Sequence, residues 1–150
     1  MGYILDLRKF VGSRPLIVAG ACVIVLNKDN QILLQKRTDS QDWGTIGGSL
    51  ELGESLEEAA GRELFEEANL TAERFKFITL LSGQDMYYKY PHGDEVYNVM
   101  AVYEAEEISG TPTVNDDEGL GLQYFSLDEP IPGLNPFSEL VLKKAGYLKE

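Results

Sequence analysis

Residues 47–70, GGSLELGESLEEAAGRELFEEANL, carry helix signals at both ends and stand among runs that read as strands. Any fold of this chain must therefore seat one internal helix against sheet. Ser55 is a good N-cap, and Glu58 three residues later completes a capping-box pattern. Gly53 suits the tight turn before it, and Asn69 suits a left-handed C-cap. At about 100° per residue, Leu56, Ala59 and Ala60 share an inward face, and Glu63 and Glu67 continue it with Glu66 alongside. Glu57, Glu58 and Gly61 point the other way, so capping and solvation account for those two glutamates. The three late glutamates are different. Like charges three and four residues apart repel, and the negative end of the helix dipole opposes them further. A bound cation resolves both objections. Clustered carboxylates without histidine or thiol suit Mg²⁺, with Mn²⁺ as a substitute. Arg62 can hold Glu66 or Glu54 in place through a two-pronged hydrogen bond.

The surrounding chain supplies the strands. RPLIVAGACVIVLNKDNQILLQKR reads as two apolar strands joined at NKDN in a hairpin, and DWGTIGG as a short glycine-rich lead into the helix. RFKFITLLSGQDMYYKY and EVYNVMAVYEAEE are strand-like runs divided by the PHGD turn. LGLQYFSL follows as another strand, and NPFSELVLKKAGYLKE has a proline start and helical spacing. This order predicts an α/β protein, a mixed sheet with helices on its faces. A length of 150 residues predicts one domain.

Composition narrows the function. No apolar run approaches the roughly 20 residues of a membrane span. The N-terminal MGYILDLRKFVGSRPLIVAG lacks a signal-peptide layout and reads as part of the fold. Cys22 stands alone in an apolar run, which predicts a buried inert thiol and a cytoplasmic protein. The formal net charge of −12 disfavours binding to long nucleic acid. A small anionic substrate stays open, because a divalent cation reverses the local sign.

The helix and its flanks resemble the signature of the Nudix hydrolases: a glycine, five residues, a glutamate, seven residues, then Arg-Glu-apolar-x-Glu-Glu-x-Gly-apolar. Gly48, Glu54, Arg62, Glu63, Leu64, Glu66, Glu67 and Leu70 match it, and Asn69 replaces the usual last glycine. Asparagine tolerates the same backbone conformation, so the departure concerns the helix cap. The resemblance implies the Nudix fold, a mixed β-sheet sandwiched between helices. It also implies Mg²⁺-dependent cleavage of a diphosphate linkage in a small nucleotide derivative, such as a nucleoside diphosphate sugar, ADP-ribose or a nucleoside triphosphate. Carried over residue by residue, the metal ligands are Glu63, Glu66 and Glu67, with the carbonyl of Gly48 or Gly47 as a further candidate. Glu54 and Arg62 complete the catalytic set. Family members take their general base from different places. Here Glu118, in the late loop VNDDEG, is the first candidate, with Asp116, Asp117 and Glu67 as alternatives.

Outside the motif, Arg37 is a candidate phosphate contact, against a surface pair with Asp39. Tyr88, among Tyr87, Tyr90 and Tyr97, is a candidate for stacking on a base, against packing in a core or dimer. Trp43 flanks the site or plugs a core, and His92 reads as a turn residue. Exposed strands and the N-terminal segment make a homodimer reasonable. The competing readings are a non-catalytic Nudix-like binding module, a hydrolase of RNA 5′ ends and an isoprenoid diphosphate isomerase. Intact glutamates argue against the first and the net charge against the second. Against the third stand the buried character of Cys22 and the short chain.

Overall fold

The computed structural model describes residues 2–114 and 119–149. The chain begins with helix α1 (Tyr3–Val11), followed by β1 (Leu16–Ile24), β2 (Gln31–Arg37), β3 (Trp43–Gly44) and β4 (Ile46–Ser49). The internal helix α2 (Leu56–Ala68) leads to β5 (Thr71–Leu81) and a 3-10 turn at Gln84–Met86. Then come β6 (Tyr87–Lys89), β7 (Glu95–Ser109), β8 (Gly119–Ser126) and α3 (Pro136–Lys144).

The strands form two sheets. One has the order β4-β1-β7-β5, with β6 also on β7. It is mixed, since β1 runs parallel to β7 while the other pairs are antiparallel. The second has the order β3-β2-β8. The expected hairpin between β1 and β2 is thus confined to its turn. Leu33 N donates to Val25 O (2.9 Å) and Leu26 bridges Ile32, but the strands then part into different sheets. The reason lies in β1: both of its edges are taken, by β4 and β7, so β2 must find its partners in β3 and β8.

β1 also divides the core. Ala21 and Val23, with Val25 just beyond it, pack with Ala59, Ala60, Leu64 and Ala68 of α2. Cys22 and Ile24 face the other way and pack with Val141 and Leu142 of α3. A strand covered on both faces carries an unbroken apolar run, because its period of two serves two layers at once. The α/β/α expectation holds in this form, with α2 and α3 on opposite sides of β1. Asn135 caps α3 by accepting from Phe137 N (2.9 Å) and Ser138 N (3.2 Å), with Pro136 in its first turn. Among the described residues no helix is long and apolar enough to cross a membrane.

Candidate active site

The direction of the glutamates is decided at the two ends of α2. Glu58 N donates to Ser55 Oγ (3.0 Å) and Ser55 N donates to Glu58 Oε1 (2.9 Å), the reciprocal capping box. Asn69 closes the helix in the left-handed conformation, at φ 59° and ψ 35°. Between these stops the apolar stripe of Ala59, Ala60, Leu64 and Ala68 fixes the roll of the helix. Glu63 and Glu67 are carried inward with it, only 8% and 2% exposed. Glu66 lies on the flank, its side chain half exposed.

Inside, the carboxylates meet the glycines of β4. Glu67 Oε1 accepts from Gly47 N (3.0 Å) and from Gln35 Nε2 (2.9 Å). The Glu63 carboxyl lies against Gly48, where a Cβ would stand 2.6 Å from Glu63 Cδ, so no larger residue fits without displacing it. Gly47 adopts φ 153°, and a Cβ there would stand 2.3 Å from Ala21 O, so this strand needs glycine twice. Arg62 ties the cluster from outside. Its Nε and Nη2 grip Glu54 (2.6 and 2.9 Å), and Nη2 also donates to Ser49 O (3.0 Å). Its Nη1 reaches Glu63 Oε1 (2.5 Å) and Glu66 Oε2 (3.3 Å). The two-pronged bond expected of Arg62 therefore goes to Glu54.

The electrostatics follow from these contacts. Hydrogen bonding from Arg62 holds the Glu54 carboxyl below the usual range. Burial pushes Glu63 the other way, with the charge of Glu66 adding to the rise and the bonds from Glu67 and Arg62 opposing it. Two buried carboxyls one helical turn apart, Glu63 and Glu67, are costly to keep ionised without a proton or a cation to compensate them. Beside them, Gln35 Oε1 is buried without a hydrogen-bond partner among the described residues. A donor set of oxygens alone, with an orphan acceptor at its edge, fits a hard divalent cation. In the present arrangement no three acidic, histidine or cysteine side chains converge on one point among the described residues. Arg62 is the cation that serves Glu63 and Glu66 here.

Two cavities meet at the Gly47–Ser49 segment beside this cluster. The smaller, about 110 Å³, is lined by Tyr88, Asn98, Met100, Phe137 and Ser138 among others. The larger, about 790 Å³, runs over Glu63, Glu66, Glu67 and Arg62 toward the N-terminal helix. They share Val18, Arg37, Gly47, Gly48, Ser49 and Tyr90. Of its two expectations, Arg37 shows the pair with Asp39. It lines the cavities and is gripped by Asp39 through Nε (3.0 Å) and Nη2 (3.2 Å). Burial alone would lower its pKa, but the bond and charge of Asp39 outweigh it and hold Arg37 firmly protonated.

Tyr88 packs on Phe137 (5.4 Å) and Tyr90 (4.9 Å) at the wall of the smaller cavity, whereas Tyr87 and Tyr97 pair with each other. Trp43 packs edge-on against Phe125 (5.0 Å) in the α3-side core, its plug role. His92 is a turn residue bonded to Asp94 (2.9 Å). Glu118, Asp116 and Asp117 lie outside the described residues. Gln35 is the partner that motif reading missed. Its signal was a lone amide following the apolar run Ile32, Leu33 and Leu34.

The NUDIX domain family model matches residues 16–145. The NAD-capped RNA hydrolase NudC of Haemophilus influenzae (strain PittGG) is 28% identical over 132 residues, 85% of this chain and 46% of that protein. The chain thus spans about half the length of such relatives. A putative 8-oxo-dGTP diphosphatase of Bacillus subtilis (strain 168) is 55% identical over 53 residues, 35% of this chain and 36% of that protein. Among solved structures, the MutT NUDIX hydrolase from Burkholderia pseudomallei superposes with a TM-score of 0.70 at 27% identity. That match covers 85% of this chain and 97% of the other.

Proposed function

The chain belongs to the Nudix family, and from that premise we propose that it is a Mg²⁺-dependent pyrophosphohydrolase cleaving the diphosphate linkage of a small nucleotide derivative. The observation that supports this most is the burial of the Glu63 and Glu67 carboxyls against Gly47 and Gly48 of β4, a set of oxygen donors of the kind that suits a divalent cation. Glu63, Glu66 and Glu67, with the carbonyl of Gly48 as a further ligand, would hold Mg²⁺. Bound there, the cation neutralises the diphosphate and makes water more acidic.

The chain's own groups then have distinct tasks. Gly47 N and Gln35 Nε2 hold Glu67 in one orientation. Arg62 and Glu54 hold the first turn of the site together and keep the Glu63 carboxylate compensated. Arg37 meets the diphosphate, and Tyr88 lines the cavity that takes the base. Glu118 accepts the proton of the attacking water, which adds to one phosphorus while the bridging P–O bond breaks toward the other. For an internal diphosphate the products are two phosphate monoesters. Glu67 is the alternative base. A Glu118→Gln change that leaves the rate intact would move the assignment there.

Two names among the relatives bear on the substrate. The NudC proteins act on NAD-capped RNA, and the Bacillus protein carries the name of an oxidised nucleotide diphosphatase. A net charge of −12 disfavours the body of an RNA, since counterion release needs a basic track. We therefore favour the small nucleotide. The test is phosphate release, coupled to phosphatase, with Mg²⁺ and then EDTA, across nucleoside triphosphates, ADP-ribose, nucleoside diphosphate sugars and dinucleotides. Glu66→Gln and Glu67→Gln should abolish turnover and leave the fold intact. Silence from a folded, Mg²⁺-loaded sample on every class would favour a binding module instead.

A further inference from the structure

The strand that brings Gln35 to Glu67 ends two residues later in Arg37, and a period of two puts both side chains on one face. The ladder with β8 slips there. Lys36 stands opposite Gly121 but Arg37 opposite Gly119, an irregularity of the kind that re-aims a side chain beside a site. The chain then turns back at once. Arg37 N donates to Asp42 O (2.9 Å) and Gln41 N to Arg37 O (3.0 Å), closing residues 38–41 into a tight loop. Gln41 holds φ 60°, a left-handed conformation uncommon for a residue with a side chain. Its Nε2 donates to Thr38 O (2.8 Å). Such a conformation persists only where the surroundings fix it.

The fixing contacts meet at Asp39. Arg37 Nε and Nη2 bond one carboxylate oxygen each, and Asp39 Oδ1 also accepts from Ser40 N (2.7 Å). Ser40 Oγ lies between Asp39 Oδ1 and Asp42 Oδ1. The other Asp42 oxygen accepts from Asn135 Nδ2 (2.9 Å), the residue that caps α3. A line of bonds thus joins Arg37 to the helix whose Phe137 and Ser138 line the smaller cavity. The stem of Arg37 crosses Gly44, where a Cβ would stand 3.4 Å from Arg37 Cδ.

An exposed ion pair would stabilise the fold by about 1 kcal/mol at most and would explain none of this bracing. The location is also unexpected. Asp39 itself lines the larger cavity, where a carboxylate opposes any anion that enters. Burial would raise its pKa, but the bond and charge of Arg37 and the bonds from Ser40 hold it below the ordinary range. What the acid supplies is direction. A two-pronged grip fixes the plane of a guanidinium. With Nε and Nη2 taken, Nη1 is the nitrogen left without a partner among the described residues, on a side chain shared by both cavities.

We propose that Asp39 is a positioning residue for the diphosphate: it locks Arg37 side-on so that Nη1 meets a phosphate where the two cavities join, with Ser40 and Asp42 bracing it against α3. The proposal rests on the diphosphate-hydrolase reading and deepens it by naming what orients the phosphate contact.

The test is affinity for inorganic pyrophosphate in Mg²⁺, by calorimetry, beside kcat and KM for the nucleotide of the panel above that turns over fastest. Asp39→Asn keeps the size of the side chain and an oxygen for Ser40 N, so the urea midpoint should hold. Kd and KM should rise about tenfold, as loss of one bond between charged groups implies, with kcat nearly unchanged. A carboxylate that only repels the anion gives the opposite sign, and a fall in Kd and KM overturns the proposal. Lysine cannot take a two-pronged grip. In an Arg37→Lys background, therefore, Asp39→Asn should weaken binding no further. The same tenfold loss there would make Asp39 a brace of the loop alone and overturn the proposal. If wild type binds pyrophosphate with this pattern but hydrolyses nothing, the positioning role stands and the hydrolase reading falls. Turnover with KM unmoved by Asp39→Asn overturns the positioning role alone, and neither binding nor turnover overturns both.

Discussion

Replacing Gln35 with leucine should separate catalysis from stability. Gln35 is buried, donates to Glu67 Oε1 at 2.9 Å, and leaves its own Oε1 without a partner among the described residues. The lost bond to a carboxylate costs about 1.5–3 kcal/mol, and removing an unsatisfied buried acceptor returns about 1–3 kcal/mol. Leucine also fills nearly the same volume between the apolar neighbours of β2, so overpacking is slight. The net change in unfolding free energy should therefore fall within about 1 kcal/mol of zero, read as a shift of the urea midpoint at constant slope. Activity should behave otherwise. Glu67 keeps its bond from Gly47 N but loses the partner that fixes its second direction. Loss of such an outer partner typically costs 10–100-fold in metal affinity or rate. The assay is kcat and the Mg²⁺ concentration for half-activation, with urea unfolding on the same samples. A variant destabilised by more than about 3 kcal/mol yet unchanged in Mg²⁺ response would refute the reasoning, since Gln35 would then be a structural clamp.

Three further predictions follow from particular contacts. Burial pushes the Cys22 thiol up to about 11 from a reference of 9.0. The unfolded chain therefore loses this proton first, and stability fully present below pH 9 should decline as pH rises toward 11, by about 2.7 kcal/mol at most. Urea unfolding at pH 8 and 10.5, compared with Cys22→Ala, checks it, and equal pH slopes in the two proteins would count against it. Gly48→Ala sets a Cβ 2.6 Å from the Glu63 carboxyl carbon, so kcat should fall at least tenfold, in line with misplaced metal-ligand geometry. A wild-type rate would show that Glu63 is not held there. Asn69 holds a left-handed cap at φ 59°, so Asn69→Ala should be about 1–2 kcal/mol less stable than Asn69→Gly, with turnover equal in both. A difference in turnover would place the cap in the chemistry.

The segment 55–69 was readable in detail because its determinants are local. Ser55 and Glu58 lie within one turn of each other, Asn69 needs no distant partner for its own backbone angles, and the inward roll of Glu63 and Glu67 follows from counting four residues along a helix. The tyrosines were less readable. Strand alternation separates Tyr88 from Tyr87, but which face meets Phe137 depends on where α3 comes to rest. The hairpin at NKDN failed for the same kind of reason. Its turn chemistry is local and formed, whereas the pairing of β1 depends on β4 and β7, which close its edges from 23 residues onward in the chain.

By itself the sequence determined the helix, its caps, the face on which its carboxylates stand and the family to which such spacing belongs, all of them products of short-range geometry. Tertiary structure decided the rest. It split the strands into two sheets, set Gln35 against Glu67, spent both prongs of Arg62 on Glu54, and brought α1 to the wall of the cavity through an arginine bound to carbonyls as far away as Glu95. Each of these joins residues distant in the chain, and such contacts arise from the competition of all surfaces for burial and all polar groups for partners. No window of sequence contains that competition.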